Sequence, residues 1–329
     1  LPLAILSLLF AVWKLENVMK QNKNVSLDYL SLVLSSIGFG GILYGCSTAS
    51  SDGWTDTVVL STLIIGGIAL VIFIMRQLKL DEPLLNIRVY KYPMFALASV
   101  IAIVNAVAMF SGMILTPAYV QSVRGISPLD SGLMMLPGAI IMGIMSPITG
   151  KLFDKFGPRA LAVVGLSITA VSTYMLAHLQ ADSSYSYIIM IYSMRMFGLS
   201  MVMMPIMTNG LNQLPTSLNP HGTAVNNTAQ QVSGSIGTAI LVTIMNTVTK
   251  TEAESLMSGV DPATITEAST AALTQQALLS GIQYSFLVAF GINIVALVLA
   301  FFVKRVDTSA EAVNKIEKEN KTSTKSVTA

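Results

Sequence analysis

An all-α, polytopic membrane protein is the fold class this sequence predicts, on three observations. Charged residues make up 11% of the chain and hydrophobic residues 53%, whereas an ordinary soluble domain carries roughly 25% charged residues. The chain holds several uncharged apolar runs of about 18 residues or more, the length that crosses a bilayer as a helix. Its basic residues cluster in alternate connections between those runs. Backbone groups in lipid must be satisfied within the segment, and these runs are too long and too evenly apolar for barrel strands. About eight full transmembrane helices and one partial helix are therefore expected.

The partial one covers residues 1–13. It opens in an apolar run without an initiator Met or a charged region ahead of a cleavage site, and is read as the end of a truncated helix. The chain is thus expected to be the carboxy-terminal portion of a longer polypeptide whose amino-terminal half is missing. Full spans are expected near 29–49, 57–75, 94–120, 129–150, 160–180, 185–209, 222–249 and 280–303. Residues 14–93 then form an inserted helix pair with flanking cytoplasmic segments, and residues 94–303 form a six-helix unit. The stretch QLKLDEPLLNIRVYKYP between them reads as an amphipathic strip on the inner surface. A long external loop, about 251–279, is polar and acidic, with short amphipathic helices and disorder as its two readings. The tail, 304–329, is Lys/Glu-rich and reads as a short surface helix that frays.

Charge supplies a check on the topology. Of 19 Lys and Arg residues, sixteen fall in one alternate set of connections and the tail, while Arg124 and Lys250 lie on the other side and Arg195 within a span. The positive-inside bias makes the first set cytoplasmic, with an inside carboxyl terminus at the cell membrane. A net charge of +2 with dispersed basic residues offers no nucleic-acid footprint. The single cysteine, Cys46, sits in an apolar run and provides neither a disulfide nor a metal cluster. His178 and His221 are placed at opposite faces, and no nucleophile elbow or phosphate-binding loop is present, so no enzyme is predicted.

Four features point to function. The first is Gly150 to Arg159, GKLFDKFGPR, a charged island that reads as a short loop: Gly150 allows backbones to approach, Asp154 meets the positive end of the next helix, and Pro158 suits its first turn. The second is Arg195, an arginine inside a span. It either faces a wet cavity or is tied structurally to a neighbouring helix. The third is GTAVNNTAQQVSGSIGTAI, where Asn226, Gln230 and Ser233, and likewise Asn227 and Gln231, recur at helical spacing. This stripe lines a path or glues helices, with Gly234 and Gly237 packing against another helix. Asn105 and Asn293 read as structural amides. The fourth is a methionine concentration in spans 129–150 and 185–209, from Met134 to Met207, which accompanies Pro137, Pro147 and Pro205. Soft side chains suit varied apolar ligands or packing in lipid, and the prolines bend helices.

GKLFDKFGPR resembles the signature loop of the major facilitator superfamily, Gly-x-Leu-x-Asp-Arg/Lys-x-Gly-basic-basic, matching at Gly150, Leu152, Asp154, Lys155, Gly157 and Arg159. Pro158 and Ala160 stand where basic residues are usual. Arg195-Met196-Phe197-Gly198, ahead of Pro205, resembles the Arg-x-x-(Gln)-Gly pattern of a fourth helix, without the Gln. The layout, two extra spans before a six-helix half, is similar to the fourteen-helix drug:proton antiporter subfamily. That resemblance implies proton-coupled efflux of amphipathic drugs or toxic compounds by alternating access. It makes Gly150 and Asp154 supports of a cytoplasmic gate, and Arg195, Asn226, Gln230 and Gln231 parts of the translocation pathway. Gly198 and Pro205 then serve in packing or bending. The implied partners are an amphipathic small molecule, protons and the bilayer, with the proton gradient as energy source and no cofactor. The proton-carrying acid is expected in the missing half. Export of an endogenous lipid, peptide or metabolite is the alternative within transport, and a truncated non-transporting remnant or scaffold the alternative outside it.

Overall fold

The computed structural model describes residues 10, 13, 28–80, 83–258 and 267–307. Its helices are α1 (Tyr29–Asp52), α2 (Thr57–Lys79), α3 (Pro93–Ala118), α4 (Pro128–Leu176), α5 (Tyr185–Leu211), α6 (Asn219–Ser258) and α7 (Glu267–Ala300), and no strand occurs among the described residues. All seven are long and apolar enough to cross a membrane. The 49 residues of α4 exceed one crossing, since at 1.5 Å per residue they would extend about 73 Å against a hydrocarbon core of about 30 Å. Gly157, at φ 77 and ψ 171, breaks α4 into two arms. Met134 of the first arm and Leu176 of the second share one buried cluster, so the chain doubles back at Gly157. The seven helices thus provide eight crossings.

Local chemistry starts these helices where they start. Asp28, Asp56, Ser127 and Ser184 each accept a hydrogen bond from a backbone amide of the following turn, as effective N-caps do. Pro93 and Pro128 occupy first-turn positions, where a missing N–H is harmless. The chain stays helical through Pro137, Pro147 and Pro205.

The bundle is organised around α3, which packs on α5, α6 and α7, while α4 packs on α5 and α7. One core, with Leu115, Tyr119, Met134, Leu176, Ile188 and Phe286, fills the end that carries Arg124. A second, with Ile101, Leu166, Val202, Ile206 and Ala300, fills the end near Gly157. Helices α1 and α2 form a separate hairpin attached to the bundle through α1 on α6. Trp54 Nε1 donates to Thr243 Oγ1 at 2.9 Å, and Asn246 Nδ2 donates to the Ser50 carbonyl at 2.9 Å, securing that attachment.

Several expectations change. GKLFDKFGPR is not a ten-residue loop: Gly150 to Phe156 complete the first arm of α4, and the break is confined to Gly157. Apolar spacing had set the span boundary at Gly150, but a helix needs no apolar residues once its backbone bonds continue past the membrane surface. The expected external loop at 251–279 is also mostly helix, because α6 runs to Ser258 and α7 begins at Glu267. The connection 83–92 is more than a surface strip, since Val89 of its 3-10 turn is buried with Phe95, Leu214 and Val225. The last span ends at Ala300, three residues early, and Val303 is buried beyond it. Of the partial span 1–13 only Phe10 and Trp13 are described, and the fraying tail beyond 307 lies outside the described residues.

Candidate functional site

Two pockets flank one stretch of α5. The first, about 320 Å³, is lined by Ala102 and Asn105 of α3, by residues of α5 from Val202 to Thr208, and by Asn227 and Gln230 of α6. Its polar atoms are uncharged. Asn227 and Gln230 are three residues apart and so share a helical face, while Asn105 reaches the pocket from α3 with its Oδ1 unpartnered among the described residues. Met203, Met204 and Met207 supply much of the apolar wall. The arrangement suits a ligand that is apolar over most of its surface and offers a few hydrogen-bonding groups.

The second pocket, about 360 Å³, is lined by Pro147, Gly150, Lys151, Phe153 and Asp154 of α4 and by Met204, Pro205 and Thr208 of α5. Met204 and Thr208 line both pockets, so α5 near Pro205 is the partition between them. Pro205 removes one backbone donor from that partition. A local change in α5 here alters both spaces at once.

The individual site residues are dispersed more widely than the spacing implied. Asp154 is exposed and makes no hydrogen bond or ion pair among the described residues, so it does not cap the second arm of α4. Lys155 lies over the ring of Phe156, 5.3 Å from its centroid, Leu152 is half-buried, and Arg159 is exposed. Gly150 brings no backbones together, because a Cβ there would meet only Met204 Cε at 3.8 Å. Gly157 needs its positive φ to make the break, and Arg305 Cδ would lie 3.8 Å from an added Cβ. Close helix approach occurs instead between Gly198 and Gly165, where an added Cβ would fall 2.7 Å from the opposite carbonyl oxygen. Gly234 and Gly237 receive Phe110 and Val107 of α3.

Arg195 lines neither pocket. It is fully buried, donates through Nη2 to the Ala108 carbonyl, and lies where any side chain on Gly112 would stand. Its Nε and Nη1 have no partner among the described residues. The contact with α3 favours the structural reading over a cavity-facing one: burial inside the bundle disfavours a bare charge, and the carbonyl of Ala108 is the acceptor within reach. Asn226 is likewise fully buried with both side-chain atoms unpartnered, whereas Gln231 is exposed and Gln230 lines the first pocket. Of the four residues that the resemblance assigns to a pathway, only Gln230 lines this pocket, together with Asn105 and Asn227. The signal for Asn227 was present as amides at helical spacing, but which of two adjacent amides faces the pocket depends on the rotation of α6; Asn105, a lone amide on α3, read as structural and carried no such signal. Among the described residues no Asp or Glu is buried, and no group of three or more His, Cys, Asp and Glu side chains is placed to hold a metal.

The profile of the Major Facilitator Superfamily matches residues 3–238. An uncharacterized MFS-type transporter of Bacillus subtilis, YhcA, is 52% identical over 243 residues, which is 74% of this chain and 46% of that protein. The lincomycin resistance protein LmrB of Listeria monocytogenes is 41% identical over 305 residues, 93% of this chain and 62% of its own length. The tetracenomycin C resistance and export protein of Streptomyces glaucescens is 27% identical, covering 74% and 45%. The chain thus spans between about half and three-fifths of the length of these relatives. Among solved structures, a bacterial homolog of the human lysosomal transporter Spinster, inward-facing and occupied, aligns with a TM-score of 0.56 and 16% identity over 84% of this chain and 69% of that one. This last likeness concerns the fold.

Proposed function

The chain belongs to the Major Facilitator Superfamily, and we propose that it is the carboxy-terminal portion of a proton-coupled exporter of amphipathic drugs or toxic compounds, working by alternating access. The observation that carries this reading is the uncharged pocket of Asn105, Asn227 and Gln230 set in methionines. Such a wall accepts ligands of varied shape through soft contacts and orients them through a few amides. The names of the lincomycin and tetracenomycin C relatives support the substrate class.

In this scheme α3 to α7 form the carboxy-terminal six-helix half, and α1 and α2 the extra pair of a fourteen-helix layout. The turn between the two arms of α4, with Asp154 and Lys155 before Gly157 and Arg159 after it, lies at the cytoplasmic surface of the cell membrane and supports a gate. The second half of the pathway and the proton-carrying acid belong to residues beyond those described, because none of the described carboxylates is buried. Rocking of two halves about a midplane site then exchanges proton for substrate.

The test is efflux of a panel of dyes and antibiotics, lincosamides included, from cells expressing the full-length protein, with and without a protonophore. Export that stops when the gradient collapses supports the reading. Export that persists removes proton coupling, and a protein inert toward the whole panel removes drugs as the substrate class.

A further inference from the structure

The basic end of the α1–α2 hairpin carries a pocket that takes no part in the proposed transport path. It is about 350 Å³ and is lined by Leu30 and Leu34 of α1, by Ile72, Met75, Arg76 and Lys79 of α2, and by Leu80. The two chemistries are layered. Ile72 lies seven residues before Lys79, which places it about 10 Å deeper along the helix axis. Ile72 and Leu34 therefore sit at acyl-chain depth, whereas Arg76 and Lys79, with Leu30 and Leu80 beside them, stand at the helix ends.

The cationic layer is held in position. Asp28, at the start of α1, accepts from Arg76 Nε at 2.9 Å and from Arg76 Nη2 at 3.0 Å, leaving Nη1 without a partner among the described residues. The carboxylate is fixed in turn by Ser31 Oγ at 2.5 Å, and Gln77 Nε2 donates to that same hydroxyl at 2.8 Å. Lys79 is exposed and has no hydrogen bond or ion pair among the described residues. One arginine is thus neutralised and oriented by its own acid, and one lysine stands over an apolar cleft without an ion pair among the described residues.

The geometry points to a site for one anionic phospholipid: an acyl chain between Leu30, Leu34, Ile72 and Met75, and the phosphate under Lys79 and the free edge of Arg76. Charge complementarity selects this occupant. A second apolar helix would leave Lys79 unpaired at the membrane surface, and a zwitterionic lipid would bring a cation of its own to the same place. A basic residue near the membrane surface favours an anionic lipid by a factor of about five.

Native mass spectrometry of the full chain, titrated with phosphatidylglycerol and with phosphatidylcholine, tests the assignment. One phosphatidylglycerol should be retained more tightly than phosphatidylcholine. Lys79→Gln should weaken its retention about fivefold, Lys79→Arg should preserve it, and Leu34→Trp, which fills the cleft, should weaken both lipids. Glycerol phosphate, having no acyl chain, should not displace the lipid. Equal retention of the two lipids overturns the proposal, as does a phosphatidylglycerol signal unchanged in both Lys79→Gln and Leu34→Trp. A dimer of the chain that Leu34→Trp dissociates also overturns it, because the cleft would then be a protein contact. Lys79 lies at the exposed end of α2, so its variants test binding without disturbing a core.

Discussion

The α1–α2 hairpin and the α3–α7 bundle both pack helices in a solvent that gives apolar contact no advantage, yet they treat buried polarity in opposite ways. In the hairpin the backbones meet: a Cβ on Gly41 would lie 2.9 Å from the Cα of Gly66, and one on Gly66 would lie 2.9 Å from the amide nitrogen of Ile42. Its polar interior is paired, with Gln77 donating to Ser31 and accepting the amide of Leu85 at 3.0 Å. In the bundle, Asn105, Asn226, Asn293 and Arg195 are buried with at least one side-chain atom lacking a partner among the described residues. An unsatisfied buried polar atom costs about 1–3 kcal/mol. Among the described residues the hairpin thus pairs its buried polar side chains, whereas the bundle leaves several of its own unpaired.

The strongest way to break this contrast is to change the seat of Arg195. Gly112→Val should expel the guanidinium from α3 and cost about 3 kcal/mol, read as a large fall in thermal unfolding temperature or in folded yield. A stable, normally expressed Gly112→Val protein would show that the buried arginine is not held there. Next in size, Gly66→Val should force α1 and α2 apart at a cost of about 2 kcal/mol, with cysteine cross-linking between the hairpin helices lost. Efflux per folded molecule should fall less than in any variant of the pocket; an equal fall would join the hairpin to the transport path.

Three smaller effects sharpen the comparison. Asn227→Ala combined with Gln230→Ala should lower efflux about tenfold, the loss of roughly 1.4 kcal/mol from two hydrogen bonds, with unfolding unchanged. Replacing Asn226 and Gln231 instead should leave substrate selectivity as it was, and a reversed pattern would mean that α6 is rotated in the working protein. Asp154→Asn should reduce gradient-dependent export severalfold while insertion stays intact, measured in vesicles with an imposed pH step.

The least effect is expected at Asp28, whose carboxyl is held well below the usual carboxylate range by the hydrogen bonds from Arg76 and Ser31. A pKa lower in the folded than in the unfolded state adds stability above the unfolded value of about 4, and that stability is lost as pH falls further. Hairpin stability should therefore decline only in acid, and Asp28→Asn should flatten the profile. A wild-type hairpin insensitive to acid would show that the ion pair carries no weight.

Much of the fold was legible because hydropathy is local, and each apolar run acts within its own segment. The caps at Asp28, Asp56, Ser127 and Ser184 and the single-residue break at Gly157 are local too, but the apolar spacing did not mark them and instead suggested a ten-residue loop. The site was legible only in outline. Spacing marked Asn226 and Asn227 equally, and a lone arginine in a span has the same pattern whether it faces a cavity or a neighbouring helix. Gly112 and Gly165, which accept Arg195 and Gly198, carry no mark in the chain because their role exists only opposite a partner far away in sequence.

What the sequence by itself determined is the eight full crossings among the described residues, the grouping of basic residues and the residue types available to each helix, since each follows from the transfer of a short segment into lipid. Tertiary structure alone decided that Asn105, Asn227 and Gln230 face one pocket while Asn226 and Arg195 are sealed inside the bundle. The physical reason is rotation: which side of a nearly uniform apolar helix turns inward is set by interlocking glycines and large side chains from distant helices, not by the segment itself.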